Sequence, residues 1–312
     1  MSLEQLELLR DYIEDHLRRG FIVPSNASYA SPVLFAKKPG GGWRFCVDYR
    51  KLNSITKRDV YPIPLIQETL TRLARAMVFT KFDIRQAFYR IRLDKGVEEL
   101  TTFRTRYRNF KYRVLPFGLC NGPATFQRYI NKILSGLLDD FCTAYMDDIL
   151  IYSEDPLEHE AHVAQVLERL KDAGLQVDIK KSEFAVKRTK FLGLIISTEG
   201  IEMDPEKTKA VRNWEVPTSL KGLQSFLGFC NFYRNFLKNF GRVARPLINL
   251  LKKGAWKPFG ARELEAFQKA KDLILSDELL AHYSPFRKTR IETDASDGVV
   301  AGVFSQQQED GT

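Results

Sequence analysis

An α+β fold is what this sequence predicts, and three observations lead there. Alternating and helical periodicities interleave up to about residue 200, helical stripes dominate after that, and an apolar, β-branched run holds an Asp-Asp pair at its centre. With 312 residues, 44% of them hydrophobic, the chain can bury a sizeable core and should divide into two or more compact units.

Taken in order, Leu6, Leu9, Ile13 and Leu17 recur at helical spacing and Gly20 follows as a C-cap, so the chain opens on an amphipathic helix. After a polar link, residues 33–38 and 43–49 read as two strands around a Pro39-Gly40-Gly41-Gly42 turn. In the second strand Trp43, Phe45, Val47 and Tyr49 share one face and Arg44, Cys46, Asp48 and Arg50 the other. Residues 78–84 form a strand ending in Asp83, and residues 102–114 a second hairpin with Arg104, Arg106 and Arg108 projecting to one side. Phe126, Ile130, Ile133, Leu134 and Leu137 mark a helix. Residues 142–153, apolar on both sides of Asp147 and Asp148, suggest a buried hairpin with the acids at its tip. Val163, Val166, Leu167 and Leu170 before Gly174 give a further helix, and residues 190–196 a further strand. From about 205 to 255, two apolar stripes (Leu220, Leu223, Phe226, Leu227, Cys230, Tyr233; then Val243, Leu247, Ile248, Leu251) predict a separate helical unit rich in basic side chains. A helix over 264–275 then leads to a strand over 290–293 that ends at Asp294.

The balance of 48 Lys+Arg against 39 Asp+Glu, net +9, favours a polyanionic partner or an anionic membrane surface over an acidic protein substrate. No apolar run approaches the ~20 residues a membrane helix needs, and the first residues lack a signal-peptide core, so a soluble, intracellular chain without a membrane partner is expected. Cys46, Cys120, Cys142 and Cys230 lie far apart with no CxxC pair, which argues for reduced, structural cysteines. His159 and His162 sit at helical spacing beside Glu158 and Glu160. No third ligand accompanies them, so they read as the solvated first turn of a helix.

The segment Tyr145-Met146-Asp147-Asp148-Ile149-Leu150-Ile151-Tyr152 carries the most chemical information. Two adjacent carboxylates in an apolar run repel each other and lose hydration unless a cation sits between them and a third acid. Asp83, at the end of the strand Thr80-Lys81-Phe82-Asp83-Ile84, can supply that acid across a sheet. Two Mg²⁺ ions about 3.5–4 Å apart on such acids would stabilise the attacking and leaving oxygens of a phosphoryl transfer.

With that segment, Leu115-Pro116-Phe117-Gly118-Leu119-Cys120-Asn121-Gly122-Pro123-Ala124-Thr125-Phe126-Gln127, the run from Trp43 to Asn53, and Phe191-Leu192-Gly193 resemble, in order and spacing, the successive motifs of reverse transcriptases. The likeness is greatest to the Gypsy class (Metaviridae) of long-terminal-repeat retrotransposons, whose pol polyproteins also carry stretches like residues 218–240 and Glu292-Thr293-Asp294-Ala295-Ser296. The resemblance implies a right-hand polymerase. Its fingers would take residues 1–58 and 90–120, its palm 59–89 and 121–204, and its helical thumb 205–256, followed by a connector over 257–286 and the start of a ribonuclease H-like domain over 287–312.

Residue by residue, Asp83, Asp147 and Asp148 match the metal-binding triad, with the Ile84 carbonyl as a further ligand for two Mg²⁺ ions, or Mn²⁺ in their place. Lys37 and Arg44 match the fingers residues that grip the triphosphate. Phe88, five positions after Asp83, matches the aromatic gate under the sugar, and Phe117 a position lining the nucleotide pocket, where some retroviral relatives have Gln. Phe191, Leu192 and Gly193 match the primer grip, and Lys180 or Lys181 the proton donor to pyrophosphate. Asp294 matches a ribonuclease H acid, but the chain stops 18 residues later at Thr312, so nuclease activity is not expected. The implied function is RNA-directed DNA polymerisation, with an RNA or DNA template, a primer and deoxynucleoside triphosphates as partners, and a dimer mate or other polyprotein parts as further candidates. The implied setting is cytoplasmic, in a virus-like particle with a nuclear stage. The rivals are an RNA-directed RNA polymerase and a non-catalytic or defective nucleic-acid-binding remnant.

Overall fold

The computed structural model describes residues 1–37, 41–276, 280, 282, 287–296 and 299–307. Helix α1 (Leu3–Arg18) leads to β1 (Ile22–Pro24), β2 (Ser31–Lys37) and β3 (Trp43–Val47), and α2 (Arg50–Ile55) and α3 (Ile66–Arg72) precede β4 (Val78–Asp83). Then come β5 (Phe103–Arg104), β6 (Asn109–Tyr112), α4 (Gly122–Ile133), β7 (Cys142–Tyr145), β8 (Asp148–Ser153) and α5 (His159–Asp172). Four short strands follow, β9 (Glu183–Val186), β10 (Arg188–Phe191), β11 (Leu194–Ser197) and β12 (Ile201–Met203). Helices α6 (Pro205–Arg212), α7 (Leu220–Phe232), α8 (Phe240–Asn249) and α9 (Ala261–Ile274) come next, and β13 (Thr289–Ser296) pairs with β14 (Val299–Gln306).

Two compact units result: residues 1–65 with 79–185, and 66–78 with the described residues of 186–312. In the first, a sheet of order β1-β6-β5-β2-β3 packs on α1, which starts in a Ser2/Gln5 capping box and buries Leu9 and Ile13 against Ile22, Phe103, Phe110 and Tyr112. A second sheet, β7-β8-β4-β9, carries the acids. From Ile149 to Ser153 strand β8 is buried on both faces, which is why its sequence is continuously apolar instead of alternating. Phe126 and Ile130 of α4 and Val166 and Leu170 of α5 complete its core with Phe82, Ile84, Ile149 and Ile151.

In the second unit, the stripe of α7 (Leu223, Phe226, Leu227, Cys230) meets Ala244 and Leu247 of α8 in one core. Leu194, Ile201 and Met203 from the strands before them, and Phe267, Ala270 and Ile274 of α9, belong to that core as well. Among the described residues no helix is long and apolar enough to cross a membrane.

Several sequence expectations need correction. Residues 190–196 are not one strand: Phe191 pairs with Leu194 across a two-residue turn in which Leu192 and Gly193 both have positive φ (54° and 79°), the geometry of a type I′ hairpin. Only Arg104 of the arginine trio lies on a strand. Arg106 and Arg108 sit in the turn that Thr105 closes by accepting the Tyr107 and Arg108 N–H groups, and all three are exposed. Helix α4 ends at Ile133, so Leu137 lies beyond it, and α9 begins at Ala261 instead of 264. Asp294 is not at a strand end; it pairs with Ala301 inside a strand that runs to Ser296. His159 is not solvated: it is 5% exposed, and His162 stacks on Phe141 with centroids 4.0 Å apart. All four cysteines are free; Cys142 and Cys230 are buried and Cys120 is exposed. Lys38, Pro39 and Gly40, the end of the predicted first strand and the start of its turn, lie outside the described residues.

Candidate active site

Tyr145 pairs with Asp148, leaving Met146 and Asp147 as a two-residue turn with Met146 at φ 54°. A bulky side chain rarely holds that conformation unassisted. Gln127, fully buried in α4, supplies the assistance: its Oε1 accepts the Met146 N–H at 2.8 Å, and its Nε2 donates to the Ala144 carbonyl at 2.9 Å and to Asn131 at 2.8 Å. Sequence reasoning missed Gln127; the available signal was a polar side chain beside Phe126 on a helix that must be covered. At the neighbouring strand, the Ile84 N–H donates to the Asp147 carbonyl at 3.0 Å. This bond ties the end of β4 to the turn and brings Asp83, Asp147 and Asp148 to one end of the sheet.

Burial raises the Asp148 carboxyl above its ordinary range, and the charges of Asp147 and Asp83 raise it further, against a lowering pull from Lys81 and Lys181. The Lys181 ammonium stands 3.5 Å from Asp83 Oδ1. Among the described residues no group of three His, Cys, Asp or Glu side chains is arranged to hold a metal ion as it stands. The donor set nevertheless fits a hard divalent cation: three half-buried carboxylates within electrostatic reach of one another, Asp148 being repelled by the other two. Because the folded-state value of Asp148 is raised, folding takes up protons across that window, so stability falls as pH rises from the usual carboxylate range through the raised value. Asp148→Asn removes the ionised group. It should therefore melt about 2–4 °C higher at neutral pH, on the order of 1 kcal/mol, with the gain vanishing in acid. A thermal melt at the two pH values checks this, and an equal or lower melting point at neutral pH would contradict it.

Phe88, 8% exposed, sits in a short 3₁₀ turn over residues 87–90 with its ring centroid 4.8 Å from Phe117 and 5.6 Å from Phe126. A Cβ at Gly122 would come within 3.3 Å of the Phe88 ring, so glycine there lets α4 approach the aromatic. Phe117 is 57% exposed. Lys37 and Arg44 are both exposed, but the structure does not bring them together: Lys37 pairs with Trp43, its ammonium 5.8 Å from the Trp43 ring, whereas Arg44 pairs with Ala36 on the opposite face of the ladder. Lys180 has its backbone N–H on Asp178 and no side-chain contact to the acids, in contrast to Lys181.

In the second unit Phe191 is buried and the Leu192-Gly193 turn is half-buried, with the Tyr233 hydroxyl donating to the Gly193 carbonyl at 3.2 Å. Asp294 is exposed on the β13–β14 hairpin.

A sheet with acids at one end, fed by a β-hairpin and backed by two helices, in a chain with a separate helical unit, is the fold of solved reverse transcriptases. A foamy viral protease-reverse transcriptase solved in complex with double-stranded DNA superposes with a TM-score of 0.88 at 24% identity, covering 100% of this chain and 55% of that one. The foamy viral protein in complex with an RNA/DNA hybrid gives 0.82 at 23%, covering 100% and 42%. Residues 36–196 match the model of the reverse transcriptase (RNA-dependent DNA polymerase) family, and the chain belongs to that family. Residues 259–312 match the RNase H-like domain found in reverse transcriptase. The Transposon Tf2-3 polyprotein of Schizosaccharomyces pombe (strain 972 / ATCC 24843) is 37% identical over 98% of this chain, in keeping with the Gypsy-class resemblance. The chain spans 23% of that relative's length.

Proposed function

We propose that this chain is an RNA-directed DNA polymerase of a retrotransposon, extending a primer 3′-hydroxyl with deoxynucleoside triphosphates on an RNA or DNA template. The observation that carries the reading is the gathering of Asp83, Asp147 and Asp148 at the end of β4 and the β7–β8 turn, within a chain of the reverse transcriptase family.

Asp83, Asp147, Asp148 and the Ile84 carbonyl would hold two Mg²⁺ ions, or Mn²⁺, which when bound neutralise charge on the triphosphate and the primer oxygen. Lys181 lies against Asp83 and would be released as positive charge enters, freeing its ammonium to give a proton to departing pyrophosphate; its contact favours it over Lys180 for that role. Lys37 and Arg44, on opposite faces of the β2–β3 ladder, would have to reach the triphosphate oxygens around its exposed end, Phe117 would line the nucleotide pocket, and Phe88, braced by Phe126 and Gly122, would lie under the sugar and exclude a 2′-hydroxyl. The Phe191-Leu192-Gly193 hairpin would hold the primer end. In this scheme residues 1–58 and 90–120 act as fingers, 59–89 and 121–204 as palm, 205–256 as thumb and 257–286 as connector; the palm so drawn crosses the boundary between the two compact units, its residues 66–78 and 186–204 falling in the second. Asp294, in a ribonuclease H-like match, would be an acid belonging to that domain, with no nuclease activity proposed for it. The polyprotein relatives favour an intracellular particle as the setting.

Primer extension on an RNA template by the purified chain tests the reading. The folded protein is expected to add deoxynucleotides, and Phe88→Ala to add ribonucleotides at least tenfold better relative to deoxynucleotides than the unmodified chain does. That factor corresponds to about 1.4 kcal/mol of discrimination. No extension by a folded chain with intact acids would leave a nucleic-acid-binding remnant in its place. An unchanged sugar preference in Phe88→Ala would return that ring to the core.

A further inference from the structure

The imidazole of His159 touches both acid-bearing strands. Its Nε2 is 2.7 Å from Thr80 Oγ1 on β4, and its Nδ1 is 2.7 Å from Ser153 Oγ on β8. Ser153 Oγ is in turn 2.8 Å from His162 Nδ1, and Thr80 Oγ1 accepts the Ala185 N–H of β9 at 3.0 Å. Thr80, Ser153 and His159 are at most 5% exposed. Strands β8, β4 and β9 are consecutive in the sheet, and α5 contributes both histidines, so one chain of polar groups stitches three strands to one helix.

Counting protons fixes the direction of that chain. A hydroxyl has one proton, and a neutral imidazole has one donor and one acceptor nitrogen. If Thr80 donates to His159 Nε2, His159 Nδ1–H donates to Ser153 and Ser153 donates to His162 Nδ1. Every proton then has an acceptor, and Thr80 still accepts from Ala185. In the reverse order Thr80 would receive two donors, and its own proton would need a further acceptor in a buried site, at a desolvation cost. The neutral, forward-ordered chain is the satisfied one. Burial also lowers the His159 pKa, with the neighbouring His162 adding to the effect, which agrees with a neutral ring.

Along β4, Thr80 and Phe82 face one side and Lys81 and Asp83 the other; along β8, Ser153 and Asp148 likewise fall on opposite sides. The acids thus stand on one face of the sheet while the imidazole clamps the same two strands from beneath. We propose that His159 is a positioning residue: by bridging Thr80 and Ser153 it fixes the spacing of β4 against β8, and so the separation at which Asp83 and Asp148 meet divalent cations. The proposal rests on the polymerase reading of those acids. It also explains why His159 and His162, although spaced like metal ligands, face inward to hydroxyl groups.

The experiment is a Mn²⁺ titration of the full chain, followed by electron paramagnetic resonance of the free ion and accompanied by thermal melts, for the unmodified protein, Thr80→Val, Thr80→Ser, Ser153→Ala and Asp83→Asn. Removing a group that hydrogen-bonds a metal ligand directly typically weakens binding 10–100-fold, and Thr80 acts one step further out, through the strand that carries Asp83, so the lower end of that range applies. Thr80→Val, which keeps the side-chain shape but deletes the hydroxyl, should therefore weaken Mn²⁺ binding about tenfold. Thr80→Ser should restore it, whatever either change does to the melting point. Mn²⁺ affinity within twofold of the unmodified chain in a folded Thr80→Val would overturn the proposal and make the chain of polar groups purely structural. Should Thr80→Val fail to fold, Ser153→Ala, which cuts the same bridge on β8, is judged by the same criterion. If Asp83→Asn binds Mn²⁺ as well as the unmodified chain, the acids are not the metal site. The polymerase reading then fails at its root, a result distinct from a loss of the bridge alone.

Discussion

Asp147→Asn and Asp83→Asn should each lower the single-turnover rate of nucleotide addition by a factor on the order of 10³, the scale set by removing one preorganised electrostatic group from a transition state. Asparagine keeps the shape and hydrogen-bonding reach of the side chain. The bond that ties β4 to the turn runs from the Ile84 N–H to the Asp147 main-chain carbonyl, so it survives both changes. The loss should therefore fall on chemistry. Binding of primer-template should stay within about tenfold, because duplex affinity is dominated by cation–phosphate contacts elsewhere, and removing a negative charge does not weaken those. Rapid-quench extension with parallel anisotropy binding separates the two quantities. A rate within tenfold of the unmodified chain in either variant would remove these acids from the reaction.

Neutralising Lys238, Arg242 and Arg245 together to glutamine should flatten the slope of log affinity against log salt by nearly three units, about 0.9 for each phosphate that the variant no longer neutralises. All three side chains are exposed. Arg242 and Arg245 line a cleft shared with Lys257 and Arg262, where α8 faces the start of α9. Lys221, Arg234, Lys252 and Lys253 add further exposed charge to the same unit while its apolar stripes turn inward. Such a surface suits a duplex backbone and reads no base sequence. The triple variant should bind weakly at low salt and make shorter products per encounter, with its single-step rate at saturating primer-template nearly unchanged. Salt slopes from anisotropy titrations and product lengths under a trap decide the point. If both were retained, the duplex-binding surface would move to the exposed Arg104, Arg106 and Arg108.

What the sequence by itself determined was whatever depends on near neighbours. The helical stripe of α1, the apolar run of β8 with acids at its start, and the aspartate closing β4 are periodicities or strand-end signals within a few residues, and each was legible. So were the reverse transcriptase motifs, because their order along the chain is itself a sequence property. The tertiary structure decided what depends on distant partners. The turn at Leu192-Gly193 was hidden because leucine is a poor residue for positive φ, and only the paired flanking strands hold it there. Register set Lys37 beside Trp43 and Arg44 beside Ala36, a fact invisible to a count of spacing. The helices after residue 205 looked self-contained, yet their core needs Leu194 and Met203 before them and Phe267 after them. Gln127 and His159 show the same division most sharply: a polar side chain reads as solvated until the fold brings it partners, here from a hairpin turn and from strands far along the chain. Burying such a group is unfavourable alone and tolerable only once those partners are in place, so no local pattern announces it.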